Sequence, residues 1–132
     1  MNFELTDEQQ QIRDTFARFC DERIAPQAAA LDEAKQYPHA LFQELAELGF
    51  FGMRYPEEVG GSGVALTEFV LALQEIARGS MSLAGAVAMQ SLMGTKFLHL
   101  LGNEDIIERL FKPALRGEKI GAICMTEPNA GS

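Results

Sequence analysis

Apolar residues recur at helical spacing in successive stretches as far as Gly117, and beyond that point the spacing stops. No other feature limits the possible folds so tightly. Stripes with a period near 3.6 must be buried against one another as packed helices, and they do not suit the alternating faces of a sheet. Thr6 with Gln9 three positions on forms a capping box, and Asp7 and Glu8 suit the positive end of the helix it opens. Ile12, Phe16, Phe19 and Cys20 share one face, and Pro26 is expected to kink this helix or open its continuation through residues 28–31. Pro38 suits the start of a second helix striped by Leu41, Phe42, Leu45 and Leu48, with Gly49 closing it in the left-handed conformation and Phe50 behind. Residues 54–65, "RYPEEVGGSGVA", read as a loop.

Leu66, Phe69, Val70, Leu73, Ile76 and Ala77 mark a third helix ending near Gly79. A fourth, over residues 82–101, is apolar nearly all round and is expected to be enclosed by the others. Asn103 caps a fifth, with Glu104 and Asp105 in its first turn, Ile106, Ile107, Leu110 and Phe111 facing inward, and Pro113 and Gly117 bringing it to an end. Then comes "KIGAICM" (119–125), a β-prone run with no helical period, feeding into "TEPNAGS". One strand alone leaves its backbone groups unpaired. The reading is therefore an all-α chain of five to six helices over residues 1–117, with 118–132 as the first strand of a β-domain whose remainder lies downstream.

Charge and composition remove several function classes. With 11 basic and 19 acidic residues the formal charge is −8, and no basic stripe suggests nucleic-acid binding. Cys20 and Cys124 have no metal-type spacing, and His39 and His99 have no carboxylate or cysteine at ligand distance along the chain. Both histidines read as structural. The apolar run at 83–101 contains Gln90, Lys96 and His99, which favours a buried helix over a membrane span. The polar, acidic N-terminus fits neither a signal peptide nor a transit peptide, and a cytoplasmic protein is expected, or a mitochondrial-matrix one if the chain is a processed eukaryotic form.

The terminal loop carries the clearest chemistry. Thr126 offers a hydroxyl and a backbone N–H, Pro128 stiffens the turn, Gly131 admits close backbone approach, and Ser132 adds another hydroxyl. Fixed donors of this kind suit an anionic or polarisable heteroaromatic ring, although an ordinary polar turn has the same composition.

Four stretches in order, "YPEEVGGSGV" (55–64), "EIARGS" (75–80), "GEKIGA" (117–122) and "MTEPNAGS" (125–132), resemble the N-terminal part of the acyl-CoA dehydrogenase family of flavoproteins. The resemblance runs from about Leu5 to Ser132. It implies a helical N-terminal domain followed by a β-domain and a C-terminal four-helix bundle, with FAD as cofactor. It also implies oxidation of an acyl-CoA thioester to the trans-2-enoyl-CoA: a glutamate base takes the α-proton while the β-hydride moves to flavin N5. An electron-transfer flavoprotein is the implied electron acceptor, and a homotetramer the implied assembly.

Carried over by position, the flavin stretch includes Ile123, Met125, Thr126, Gly131 and Ser132, with Met125 and Thr126 donating to the pyrimidine side of the ring. Ser132 would also touch the pantetheine arm. Met89, Gln90 and Met93 would line the acyl cavity, with Leu92 and Gly94 in the same stretch. The Asp that usually follows "GS" is not present, and no catalytic residue is expected here. Glu127 belongs to the motif and its counterpart is not the base. Acyl-CoA oxidases, nitroalkane oxidases and flavin monooxygenases share the same helical start, and a non-catalytic helical interaction module is the remaining alternative.

Overall fold

The computed structural model describes residues 4–130. Among the described residues five helical rods follow the predicted order, and three of them are interrupted by a π-helical turn. The first rod is α1 (Asp7–Phe19), a π turn at Cys20–Ile24, and α2 (Ala25–Glu33). The second is α3 (His39–Glu47). After 3-10 turns at Phe50–Gly52 and Glu57–Val59 comes the third, α4 (Leu66–Gly79). The fourth is α5 (Met81–Met89), a π turn at Gln90–Gly94, and α6 (Lys96–Leu101). The last is α7 (Glu104–Ile106), a π turn at Ile107–Phe111, and α8 (Lys112–Leu115).

Local capping explains where the rods begin. Thr6 Oγ1 accepts the Gln9 N–H at 3.2 Å while Gln9 Oε1 accepts the Thr6 N–H at 3.1 Å, the reciprocal box read from the sequence. Asn103 Oδ1 accepts the Ile106 N–H in the same way. Gly49 takes φ 78°, as its position after α3 required. Pro26 and Pro113 do not end their helices. Each sits in the first turn after a π turn, where the wider winding accommodates a ring that has no N–H to donate. The fifth rod therefore runs past Pro113, and Gly117, at φ 73°, follows its end.

The core is built around phenylalanines. Phe50 stacks on Phe69 with centroids 5.1 Å apart, Phe16 meets Phe50 edge-on at 5.7 Å, and Phe42 packs on Phe51 at 4.5 Å. The "EIARGS" stretch clasps the first π turn. Arg78 donates to Asp21, to Glu75 and to the Ala17 carbonyl, while Gly79 lies against Cys20 and Ile24. Ser80 then caps α5 by accepting the Leu83 N–H.

Two expectations need correction. The fourth rod is not enclosed: Leu83, Ala84, Val87, Gln90, Ser91 and Thr95 face inward, but Met89, Leu92, Phe97 (57% exposed), Leu100 (61%) and Leu101 (81%) face out. The other described helices pack on one side only, so an all-round apolar sequence leaves its far side uncovered. Second, residues 119–125 form no strand among the described residues. A ladder needs a partner strand, and here the helices supply the neighbouring groups instead. No helix among the described residues is long and apolar enough to cross a membrane.

Candidate functional site

The π turn at Gln90–Gly94 widens the fourth rod midway and frees carbonyls that an α-helix would pair. Side chains take them up. Thr95 Oγ1 donates to the Gln90 carbonyl at 2.8 Å, and Tyr55 Oη donates to the Ser91 carbonyl at 2.8 Å while lying 2.9 Å from Thr95 Oγ1. Tyr55 comes from the "YPEE" stretch and is buried against Phe111, ring centroids 4.9 Å apart. Burial pushes its phenol above the usual tyrosine value, so it stays a neutral donor. The glycine loop that follows is pressed onto it: a β-carbon on Gly61 would stand 2.0 Å from the Tyr55 carbonyl oxygen.

The outgoing chain is tied to the same turn. Gln90 Nε2 donates to the Ala114 carbonyl at 3.0 Å and to the Lys119 carbonyl at 2.9 Å, and its Oε1 accepts the Gly121 N–H at 2.7 Å. Gly94 and Gly121 cross backbone to backbone, so a β-carbon on Gly94 would lie 2.8 Å from the Gly121 carbonyl carbon. From that crossing residues 122–130 lead away. Ile123 is half-buried, and Met125 and Thr126 are exposed. Apart from a turn in which the Ala130 N–H donates to the Glu127 carbonyl, the segment makes no backbone bond among the described residues. The N–H groups of Ile123, Met125 and Thr126 are thus available to a flat, acceptor-rich ring, and this donor set fits a flavin.

The expected site residues fall into distinct places. Met89 is exposed on the outer side of the fourth rod, Leu92 beside it, and Met93 is half-buried. Gln90 is 1% exposed, with its amide bonded to this chain's own backbone. Gly131 and Ser132 lie outside the described residues. His99 packs against Tyr55 and Phe111, and its buried Nδ1 has no partner among the described residues. Tyr55 and Thr95 carry more of the site than the sequence suggested. Tyr55 was visible in a motif, while the Gly94–Gly121 crossing left no sequence signal.

Fold and site together define an all-α domain that ties a donor-bearing loop to the π turn of a helix with an uncovered apolar face. Residues 6–118 match the family model described as acyl-CoA dehydrogenase, N-terminal domain, and the chain belongs to that family. It is 83% identical over 132 residues to a benzylmalonyl-CoA dehydrogenase of Aromatoleum aromaticum, covering 100% of this chain and 35% of that protein. A 3-(aryl)acrylate reductase of Clostridium sporogenes is 37% identical over 129 residues, covering 96% of this chain and 34% of that protein. The butyryl-CoA dehydrogenase structure from Megasphaera elsdenii superposes with a TM-score of 0.88 at 31% identity, covering 99% of this chain and 35% of that one. The chain spans about a third of the length of the curated relatives it matches.

Proposed function

We propose that the chain is the N-terminal part of an FAD-dependent acyl-CoA dehydrogenase whose substrate is an arylmethyl-substituted malonyl thioester of the benzylmalonyl-CoA type. The observation that carries this reading is the 83% identity, over all 132 residues of this chain, to a benzylmalonyl-CoA dehydrogenase. In this proposal residues 1–117 are the helical domain and 118–132 open the β-domain.

FAD, when bound, supplies the two-electron acceptor for dehydrogenation across Cα and Cβ. The chain's own residues bind and orient. Ile123, Met125 and Thr126 offer donors to the ring, where fixed N–H groups stabilise negative charge without reorganising. Gly131 would permit close approach, and Ser132 would reach both the ring and the pantetheine arm. Met89 and Met93 face the acyl group with soft, adaptable thioethers, while Gln90 acts from behind that wall. The proton-abstracting glutamate lies outside these residues. An electron-transfer flavoprotein as acceptor, a tetrameric assembly and a cytoplasmic location complete the proposal.

The full-length protein tests it directly. Purification should give a yellow protein that reduces an artificial acceptor faster with benzylmalonyl-CoA than with isovaleryl-CoA or butyryl-CoA. Absence of flavin would remove the class assignment. A flavoprotein that prefers the aliphatic thioesters would remove only the substrate assignment.

A further inference from the structure

We propose that Gln90 is a positioning residue for the loop beyond residue 121, its side-chain amide standing in for the strand that would otherwise flank residues 119–121. The proposal deepens, and rests on, the reading of residues 123–132 as flavin-facing. In an extended chain the carbonyl of one residue and the N–H of the residue two further on point to the same side. An adjacent strand would pair with that couple. Here the couple is the Lys119 carbonyl and the Gly121 N–H, and both are met by one planar carboxamide, at 2.9 Å and 2.7 Å. The second amide proton goes to the Ala114 carbonyl at 3.0 Å, which fixes the carboxamide to the last turn of the fifth rod. Gly94 meeting Gly121 sets the depth of the crossing, because neither position has room for a side chain.

The consequence is register. Apart from the Ala130–Glu127 turn, the downstream N–H groups have no backbone partner among the described residues to correct them, so they inherit their direction from 119–121. A slip of one residue there would turn the donors of Met125 and Thr126 to opposite sides. The turn that bears Gln90 follows the exposed Met89 and includes the half-buried Met93. The proposed acyl wall and flavin loop thereby meet at one helical turn.

The test uses the full-length protein with three variants: Gln90→Met, which keeps shape without hydrogen bonds, Gln90→Glu, and Gln43→Met as a control. Gln43 makes a comparable tie, donating to the Gly117 carbonyl at 2.6 Å, but it acts before residue 119. At temperatures well below unfolding, Gln90→Met should weaken FAD binding by about tenfold or more and shift the visible flavin band, while Gln43→Met binds as wild type. A carboxylate has no proton for the two carbonyls and a carboxylic acid has one, so FAD affinity of Gln90→Glu should rise as pH is lowered. The Gly121 amide of the unaltered protein should be protected from hydrogen exchange. FAD affinity of Gln90→Met within about twofold of wild type overturns the proposal. So does a Gly121 amide that exchanges like free peptide, which decides the matter even if Gln90→Met does not fold. A wild-type protein without flavin instead removes the reading on which the proposal rests, and Gly121 protection then tests the tie alone.

Discussion

At the residue scale, the hydroxyls at the fourth rod's π turn differ sharply in what they do. Tyr55 Oη donates to the Ser91 carbonyl at 2.8 Å, where the rod's own Thr95 hydroxyl reaches only to 3.4 Å. Tyr55→Phe keeps the ring contacts and leaves the Ser91 carbonyl with only the long 3.4 Å bond from Thr95 Oγ1, so it should cost about 1–3 kcal/mol. The Ser91 hydroxyl is buried with no partner among the described residues. Ser91→Ala should therefore cost less than about 0.5 kcal/mol, or stabilise. Urea midpoints measure both, and equal losses would contradict the assignment. Neither role was legible beforehand. Tyr55 stood out in a motif, but its partner Ser91 lies 36 residues away and no local pattern joins them. Gln90 was assigned to the acyl cavity by family resemblance alone, and its bonds to distant backbone groups show only in the fold.

At the element scale, the rods were legible because their ends are local chemistry. Thr6, Gly49 and Asn103 act within a turn of their own positions. The π turns were hidden, because one extra residue barely disturbs apolar spacing and the prolines that follow two of them look like breaks. Gly94→Ala tests the crossing. Its β-carbon meets backbone, which yields poorly, so a loss of about 2 kcal/mol or more is expected, with faster exchange at the Gly121 amide. Between the first and second rods, Arg23 grips Glu44 with two bonds of 2.7 Å and holds its carboxyl below the usual range. A depressed folded value means the contribution is fully present above the unfolded value near about 4.3 and is lost as pH falls through the folded one. With Arg23 52% exposed the pair is worth at most about 1 kcal/mol. Glu44→Gln should be slightly less stable than wild type at neutral pH, and the two should converge in acid. A constant gap across the titration would argue against this pair.

At the scale of the whole molecule, the uncovered side of the fourth rod dominates. Phe97, Leu100 and Leu101 form an apolar surface of the kind that drives association. The 132-residue chain alone should self-associate, and Leu100→Glu with Leu101→Glu should shift its sedimentation toward monomer; unchanged sedimentation would show that the face is not the contact. That chain should also show no acyl-CoA turnover with added FAD, since the proposal places the base elsewhere. The sequence signalled this surface through its all-round apolarity, which is equally the mark of a central helix. Which of the two applies depends on how many neighbours a rod has, and periodicity does not encode that. The π turn at Gln90–Gly94 has an angular consequence as well. Each residue of an α-helix advances about 100° around its axis, and a π turn absorbs one residue with little gain in length. Delete one residue there and everything from Thr95 onward would rotate by roughly that angle, carrying Phe97 and Leu101 around the rod. The turn is a gear: it lets a single helix address two neighbours lying in different directions.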